Sequence, residues 1–551
     1  MRSTAPTDQP ALVGDRAFLG VANLGEPDTL APGVCWAAEN IDFTARTART
    51  RAGSDTLADH QGAAGSVVFG HGVFSDPIRG GEQLLLATGA GVWRSAWGKQ
   101  PRLISTPEPI TAAVTMVQAF SKVLLFRGAD LEPWEWLGGT GGFATISAPP
   151  SGSSNVSIPN GPDRRGLRPV VLQNRIAIPH ARTALAVSDI LDFEEYDPAF
   201  SDFNLTGGND DLPSALFRYN ESTLLVFNDQ SIQRLVGIEP TLTSLSLESV
   251  NDEIGCVAGD TVARLGGKVL FLSDTGVYTL EEIEQRREVA PIPLTDSIPA
   301  IMDRVNWSAI TTAHACVYGR RYFLAVPLDD ATAPNALLPY NAQTQLWEGI
   351  HWLPTDTQCD ALVRLDYRGS KRLHAVDYAT GRVRMLYHGR HDYTEDTLAQ
   401  IESSVTTRGY ATGLRSKVRA GKARVKTWSP TLSATVETDG VNESHAAIDA
   451  RTFSRTASMI TGPSAVAFDQ SNVNDDWNRA YREDYSLDIE EDFDPGSTFD
   501  PDLEQSWPLA FTVNARGAFA QFTLTNTTGT ADLCSLAFES TETDTSSISY
   551  P

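Results

Sequence analysis

VLFLSDTGVYTL, residues Val269 to Leu280, sets an apolar run, Val269 to Leu272, against a polar turn, Ser273-Asp274-Thr275-Gly276, and a second run, Val277 to Leu280. Asp bonds its own backbone in a turn and Gly accepts positive φ, while β-branched and aromatic flanks suit a pleated surface, so the stretch reads as a β-hairpin. Comparable units recur along the first three quarters of the chain. Anchored on their first strands they begin at Leu84, Val123, Arg175, Leu224, Val269, Tyr322 and Leu373, spaced 39, 52, 49, 45, 53 and 51 residues apart. A period of this length with two clear strands per unit is what a four-stranded propeller blade needs. The expected fold class is therefore all-β, a six- or seven-bladed β-propeller.

At 551 residues the chain exceeds one ordinary compact core, and radial addition of blades is a permitted way to use that length. With 41% hydrophobic and 21% charged residues its composition is that of a globular protein. No window reaches the eighteen apolar residues of a membrane span, and the first thirty residues lack a signal-peptide core, so synthesis in a cytosol is expected. Cys35, Cys256, Cys316, Cys359 and Cys534 show no metal-ligand spacing and the histidines form no H-x-x-x-H pair. No metal or cofactor is expected. The formal charge of −25 argues against a groove-reading nucleic-acid contact, where Lys and Arg neutralise phosphates.

Pro, Gly, Asp and Ala in residues 1–34 predict an extended arm, followed by the propeller over 35–390. Trp93, Trp97, Trp134 and Trp136 follow strands and read as packing between blades. The Ser/Pro/Gly-rich stretch Ser147 to Arg165 reads as a long loop between blades. Between Ser188 and Leu216 lie Asp189, Asp192, Glu194, Glu195, Asp197, Asp202, Asp210 and Asp211, read as a solvated acidic loop because no D-x-D-x-D-G register is present. Asp392 to Gln400 looks like a polar connector. Beyond it, alternation in segments such as Phe511-x-Val513 predicts a C-terminal β-sandwich domain over 391–551, interrupted by a charged excursion at 472–507.

Several motifs, in their order along the chain, resemble one family. Asn40-x-Asp42, then several Arg, then Gly53 looks like the N-x-D…R-x-G opening of phage tail nozzle (tail tubular protein B-like) proteins. Ile254-Gly255-Cys256, Asp260-Thr261-Val262, Gly266-Gly267-Lys268-Val269 and Gly276-Val277-Tyr278 follow that family's pattern, as do Tyr340-Asn341 with Trp347 and the run Asp377 to Gly389. The resemblance covers roughly residues 35–530. It implies a structural virion protein in the tail of a short-tailed bacteriophage: a homo-oligomer, expected as a hexamer, forming a DNA conduit below portal and adaptor proteins. Tail fibre or tip proteins would dock outside, and DNA would pass without sequence-specific binding.

Arg408, Arg415, Lys417, Arg419, Lys422, Arg424 and Lys426 form a basic block without an acid among them. It reads as a solvated or intersubunit ion-pair face, a ring contacting DNA in a channel, or a docking face for an acidic partner. Glu490, Glu491, Asp492, Asp494, Asp500, Asp502 and Glu504 are the acidic counterpart, and opposite faces of one chain suit a ring of identical subunits. No G-x-S-x-G, Walker, H-E-x-x-H or helix-opening G-x-G-x-x-G motif occurs, and an enzyme is not expected. The alternative is a carbohydrate-binding or glycan-cleaving propeller, for which Asp189, Asp274 and Glu348 are the acids to consider.

Overall fold

In the computed structural model, Val269, Phe271, Tyr278 and Leu280 pack toward one neighbouring sheet and Leu270, Leu272 and Val277 toward the other. The quoted hairpin is thus buried on both faces, which is why its strands are continuously apolar. Phe271 lies opposite Tyr278 and Leu272 opposite Val277, closed by the Asp274-Thr275 turn. Gly276 holds φ 144, and a Cβ there would meet the Thr295 hydroxyl.

The structure describes residues 11–438, 453–457 and 507–542, apart from 77–80, 129, 147–155, 163, 165, 207–210, 239–241, 243–244, 284–285, 290–291, 368 and 395–396. Beyond residue 410 this is the backbone path, with side chains for 521–526, 533 and 536. Among these residues seven sheets form the blades. Blade 1 consists of Val68–Ser75, Glu82–Thr88, Gly91–Ala96 and Lys99–Ile104. Blades 2, 3 and 4 run from Thr115–Ala119 to Ala144–Thr145, from Val170–Leu172 to Phe203–Asn204, and from Pro213–Arg218 to Ser246–Asn251. Blade 5 comprises Ala263–Leu265, Lys268–Ser273, Gly276–Ile283 and Arg286–Val289. Blade 6 starts at His314–Tyr318 and blade 7 at Ala361–Tyr367. All seven sequence anchors fall on the second strand of a blade.

Each second strand shows alternate residues to opposite neighbours, as a period of two requires. Leu85 and Val123 meet between blades 1 and 2, Phe126 and Ile178 between 2 and 3, and Leu185 and Val226 between 3 and 4. Phe227 meets Phe271 between blades 4 and 5, Leu272 and Leu324 share a core between 5 and 6, and Phe323 and Leu373 one between 6 and 7. Finally Val363 and Val376 of blade 7 pack with Leu84 and Leu86 of blade 1. The ring is closed, with seven blades among the described residues.

The N-terminal residues do more than the expected arm. Gly20–Val21 and Val34–Cys35 extend the sheet of blade 6, and Ser54–Asp55 pairs with Val383–Leu386 of blade 7. Asp392–Thr394 and Thr397–Ala399, where a connector was expected, form a hairpin on the far side of Ser54–Asp55 in that same sheet. The second unit is also all-β: Ala37–Glu39, Ser403–Thr406, Trp507–Glu542, Tyr410–Thr438 and Phe453–Ala457 lie in that order. Ala11–Asp15 and the hairpin Ile41–Thr44/Thr47–Thr50 join Trp507–Glu542. Residues 37–50 therefore belong to this sheet and not to the propeller, because Ala37–Glu39 pairs with Ser403–Thr406 and Thr47–Thr50 with Trp507–Glu542. No helix among the described residues is long and apolar enough to cross a membrane.

Candidate functional site: the buried latch between propeller and sheet domain

The residues of the N-x-D…R-x-G motif meet where the two units join. Asn40 has φ 54, a conformation that Asn tolerates better than bulkier residues, and its amide is used on both sides. Its Nδ2 donates to the Glu402 carbonyl at 2.7 Å, while Oδ1 accepts from Arg51 Nε at 2.9 Å and from Trp352 N at 2.9 Å. Arg51 then forks onto Asp392, at 3.1 Å and 2.6 Å, and donates to the Trp352 carbonyl at 2.8 Å. Ser54 donates to the same Asp392 at 2.8 Å. Arg51 and Asp392 are both buried, and removing one partner of such a pair costs roughly 3–5 kcal/mol because the other charge is stranded. Gly53 N donates to the Gly389 carbonyl at 2.9 Å, so close to the chain that a Cβ would run into the His391 carbonyl. The motif is thus the set of residues that fastens the sheet domain to the closing strand of blade 7.

A second set extends from Asp42. Arg321 of blade 6 bonds Asp42 and, through Nε, Glu348 Oε1 at 2.8 Å, which also accepts from Asn341 Nδ2 at 2.8 Å. Glu348 is fully buried and its Oε2 has no hydrogen-bond partner. Burial, reinforced by Asp42, pushes its carboxyl up to about 7 against the pull of Arg321. Protonation of Glu348 leaves two arginines facing two aspartates, a balanced set. Near both arginines lies His351, whose Nε2 donates to the Ile41 carbonyl at 2.7 Å, leaving Nδ1 to accept from Tyr387 at 2.8 Å. Burial is the main reason its pKa falls to about 3, and the neighbouring arginines add to it.

Arg408, the first residue of the basic block, is taken up inside the chain. Its guanidinium pairs with buried Asp15 at 3.1 Å and lies 4.8 Å over Tyr410, whose hydroxyl donates to Asp15 at 2.8 Å. Arg415, Lys417, Arg419, Lys422, Arg424 and Lys426 all fall on the strand Tyr410–Thr438, but their side chains lie outside the described residues. Glu490, Glu491, Asp492, Asp494, Asp500, Asp502 and Glu504 lie outside them altogether.

The acids considered for sugar chemistry are dispersed. Asp189 follows a strand of blade 3, Asp274 is exposed in the blade 5 turn, and Glu348 is sealed in the latch. Acidic-loop carboxylates are engaged singly: Asp197 caps Ala199 N at 2.8 Å, Glu194 pairs with Lys122 at 3.1 Å, and Asp211 accepts from Ser231 at 2.6 Å. Among the described residues no group of three or more His, Cys, Asp or Glu gathers to hold a metal ion. Trp134 and Trp136 are buried between blades 1 and 2. Trp97 remains partly exposed, edge-on to Tyr367 with ring centroids 5.5 Å apart.

Side chains from segments far apart in sequence also meet in two further pairs. Arg168, just before blade 3, donates to Asp260, just before blade 5, at 2.9 Å. Asp260 holds the Arg168 pKa above its ordinary value, with Tyr378 of blade 7 close enough to contribute. Tyr378 in turn lies 2.6 Å from His71 Nδ1 of blade 1.

The chain matches no protein-family model and no curated protein. Among solved structures it is similar to BBS1N in its complex with ARL6DN, at 12% identity and TM-score 0.38, over 61% of this chain and 97% of that one. The extracellular domain of the one-component system BT4673 from B. thetaiotaomicron aligns at 8% identity and TM-score 0.37, over 78% of this chain and 59% of that one. Saccharomyces cerevisiae Sqt1 aligns at 9% identity and TM-score 0.35, over 61% of this chain and 98% of that one.

Proposed function

We propose that this chain is a tail nozzle subunit of a short-tailed bacteriophage, a mechanical component of the virion tail with no enzymatic task. The observation that carries this reading is the latch: the motif by which the sequence resembles that family supplies the residues that join propeller to sheet domain. A conduit part must transmit force between its layers without coming apart. Buried, bidentate ion pairs and a shared apolar core serve that need.

As the resemblance implies, a duplex would pass along the axis of an assembly of several copies, about six. The charge of −25 suits a wall along which DNA slides without being gripped. Portal and adaptor proteins would bind one end, and fibre or tip proteins the outer surfaces. The carbohydrate-acting alternative loses Glu348 from its set of acids, since that carboxyl is fully buried.

Native mass measurement of the purified chain, alone and mixed with portal-adaptor assemblies, tests the proposal. A ring of about six copies, or a stable complex with the adaptor, is expected. A monomer that ignores the adaptor and binds a glycan array would replace this reading with the alternative.

A further inference from the structure

The seam between blades 7 and 1 holds a pair of stacked imidazoles beside its apolar contacts. Part of it is apolar, with Val363, Val376, Leu84 and Leu86. Two residues along the same strand from Val376, His374 stacks on His60, which lies on the 3-10 turn Ala58–His60 before blade 1, with ring centroids 5.4 Å apart and an interplanar angle of 25°. Both imidazoles are buried, at 2% and 1% exposure. His374 Nδ1 lies 3.2 Å from the Arg372 carbonyl and so carries the hydrogen, leaving Nε2 a bare acceptor with no partner. His60 Nδ1, Glu82 Oε2 and Ser95 Oγ on the facing blade are also buried without partners.

We propose that this seam is the parting line of the ring, opened by acid through protonation of the stacked His60–His374 pair. A proton on His374 Nε2 would point at no acceptor, and two imidazolium rings at stacking distance repel in a place that water does not reach. The surrounding charges do not cancel this. Asp59, on the turn that carries His60, favours its charged form, but less than burial opposes it. Glu82 is committed to Lys371 across the seam, His388 adds a third imidazole that disfavours charge on His374, and Asp55 stands 4.0 Å from His388. Arg372 lies two residues along the strand, and His71 is bonded to Tyr378.

Burial lowers the His60 pKa to about 4 and that of His374 to about 3, from 6.5. With folded values below the open-state value, closure is fully stable above about pH 6.5 and weakens as pH falls toward the folded values. The mechanical consequence follows from topology. The fourth strand of blade 7 is Ser54–Asp55, only two residues long, tied through Gly53 and Arg51 to the latch. A seam that loosens there would release blade 7 while leaving the blade cores intact.

Amide hydrogen exchange, corrected for the intrinsic pH dependence, tests this on the full chain. Between about pH 7.5 and about pH 5, protection in Glu82–Thr88 and Ser370–Val376 should fall at least about tenfold relative to Leu224–Asn228 and Lys268–Ser273. The His60→Gln, His374→Gln double variant should reduce that fall to within about threefold. Even loss of protection around the ring, or a seam response unchanged in the double variant, would overturn the proposal. Should the double variant not fold, the localisation measured in the wild type decides by itself.

Discussion

Glu348 and Arg51 are both buried charged residues of the latch, yet they stand on opposite sides of their stability balance. Arg51 is satisfied by Asn40, Asp392 and two carbonyls, so its charge is stabilising in place. Glu348 has one satisfied and one bare oxygen, so its charged form is the strained one. Because its folded pKa of about 7 lies above the ordinary 4.5, the folded chain binds the extra proton between those values. Stability therefore falls as pH rises through that window and stays lower above it. Replacing Glu348 by Gln should raise stability at about pH 8 by on the order of 3 kcal/mol and change little at about pH 4. Denaturant titration at both pH values reads this directly, and a destabilised variant at the higher pH would contradict the assigned proton. Nothing in the local sequence, Gln345-Leu346-Trp347-Glu348-Gly349, marks Glu348 as buried. Its hydrogen-bond partners, Arg321 and Asn341, and the neighbouring charge of Asp42 come from other elements.

Among elements, the closing strand Ser54–Asp55 shows how little backbone is needed when its neighbours are fixed. It makes two register pairs with blade 7, Ser54 opposite Leu386 and Asp55 opposite Met385. On its other side Ser54 bonds Asp392, and the rest of its placement comes from Gly53, which the chain at Gly389 to His391 presses against, and from Arg51. A Gly53→Ala substitution should push that segment away, lowering stability by about 3 kcal/mol or more and raising exchange in Val383–Leu386 ahead of the other blades. Unchanged stability would mean that the close approach relaxes at little cost. The blade hairpins, by contrast, were legible from their residues. Apolar runs such as Leu84 to Ala87 and Leu224 to Phe227 recur at a blade-sized interval, and each became a second strand. The closing strand carried no such signal, because a two-residue strand held by ion pairs has no periodicity to read.

For the whole molecule, charge distribution and connectivity decide how copies could meet. Arg419 and Arg424 lie on the long strand Tyr410–Thr438, about 95 Å if fully extended, at about 3.3 Å per residue. Under the nozzle reading, Arg419→Glu with Arg424→Glu should block assembly and leave the monomer folded, as shown by sizing together with unchanged thermal unfolding. Assembly that proceeds normally would remove the strand from the interface. Arg408 was grouped with these residues because the sequence shows one basic run, whereas its partner Asp15 arrives from the opposite end of the chain.

By itself the sequence determined the all-β class, the blade interval and its seven anchors, and the presence of a second β unit, because these follow from local periodicity and turn chemistry. Only the tertiary structure decided that residues 37–50 belong to the second sheet, that Ser54–Asp55 closes blade 7, and that Asn40, Asp42, Arg51 and Gly53 form one latch. The reason is physical. A buried charge takes whichever partner the fold brings within hydrogen-bond reach, and for Arg51 that partner, Asp392, lies 341 residues away.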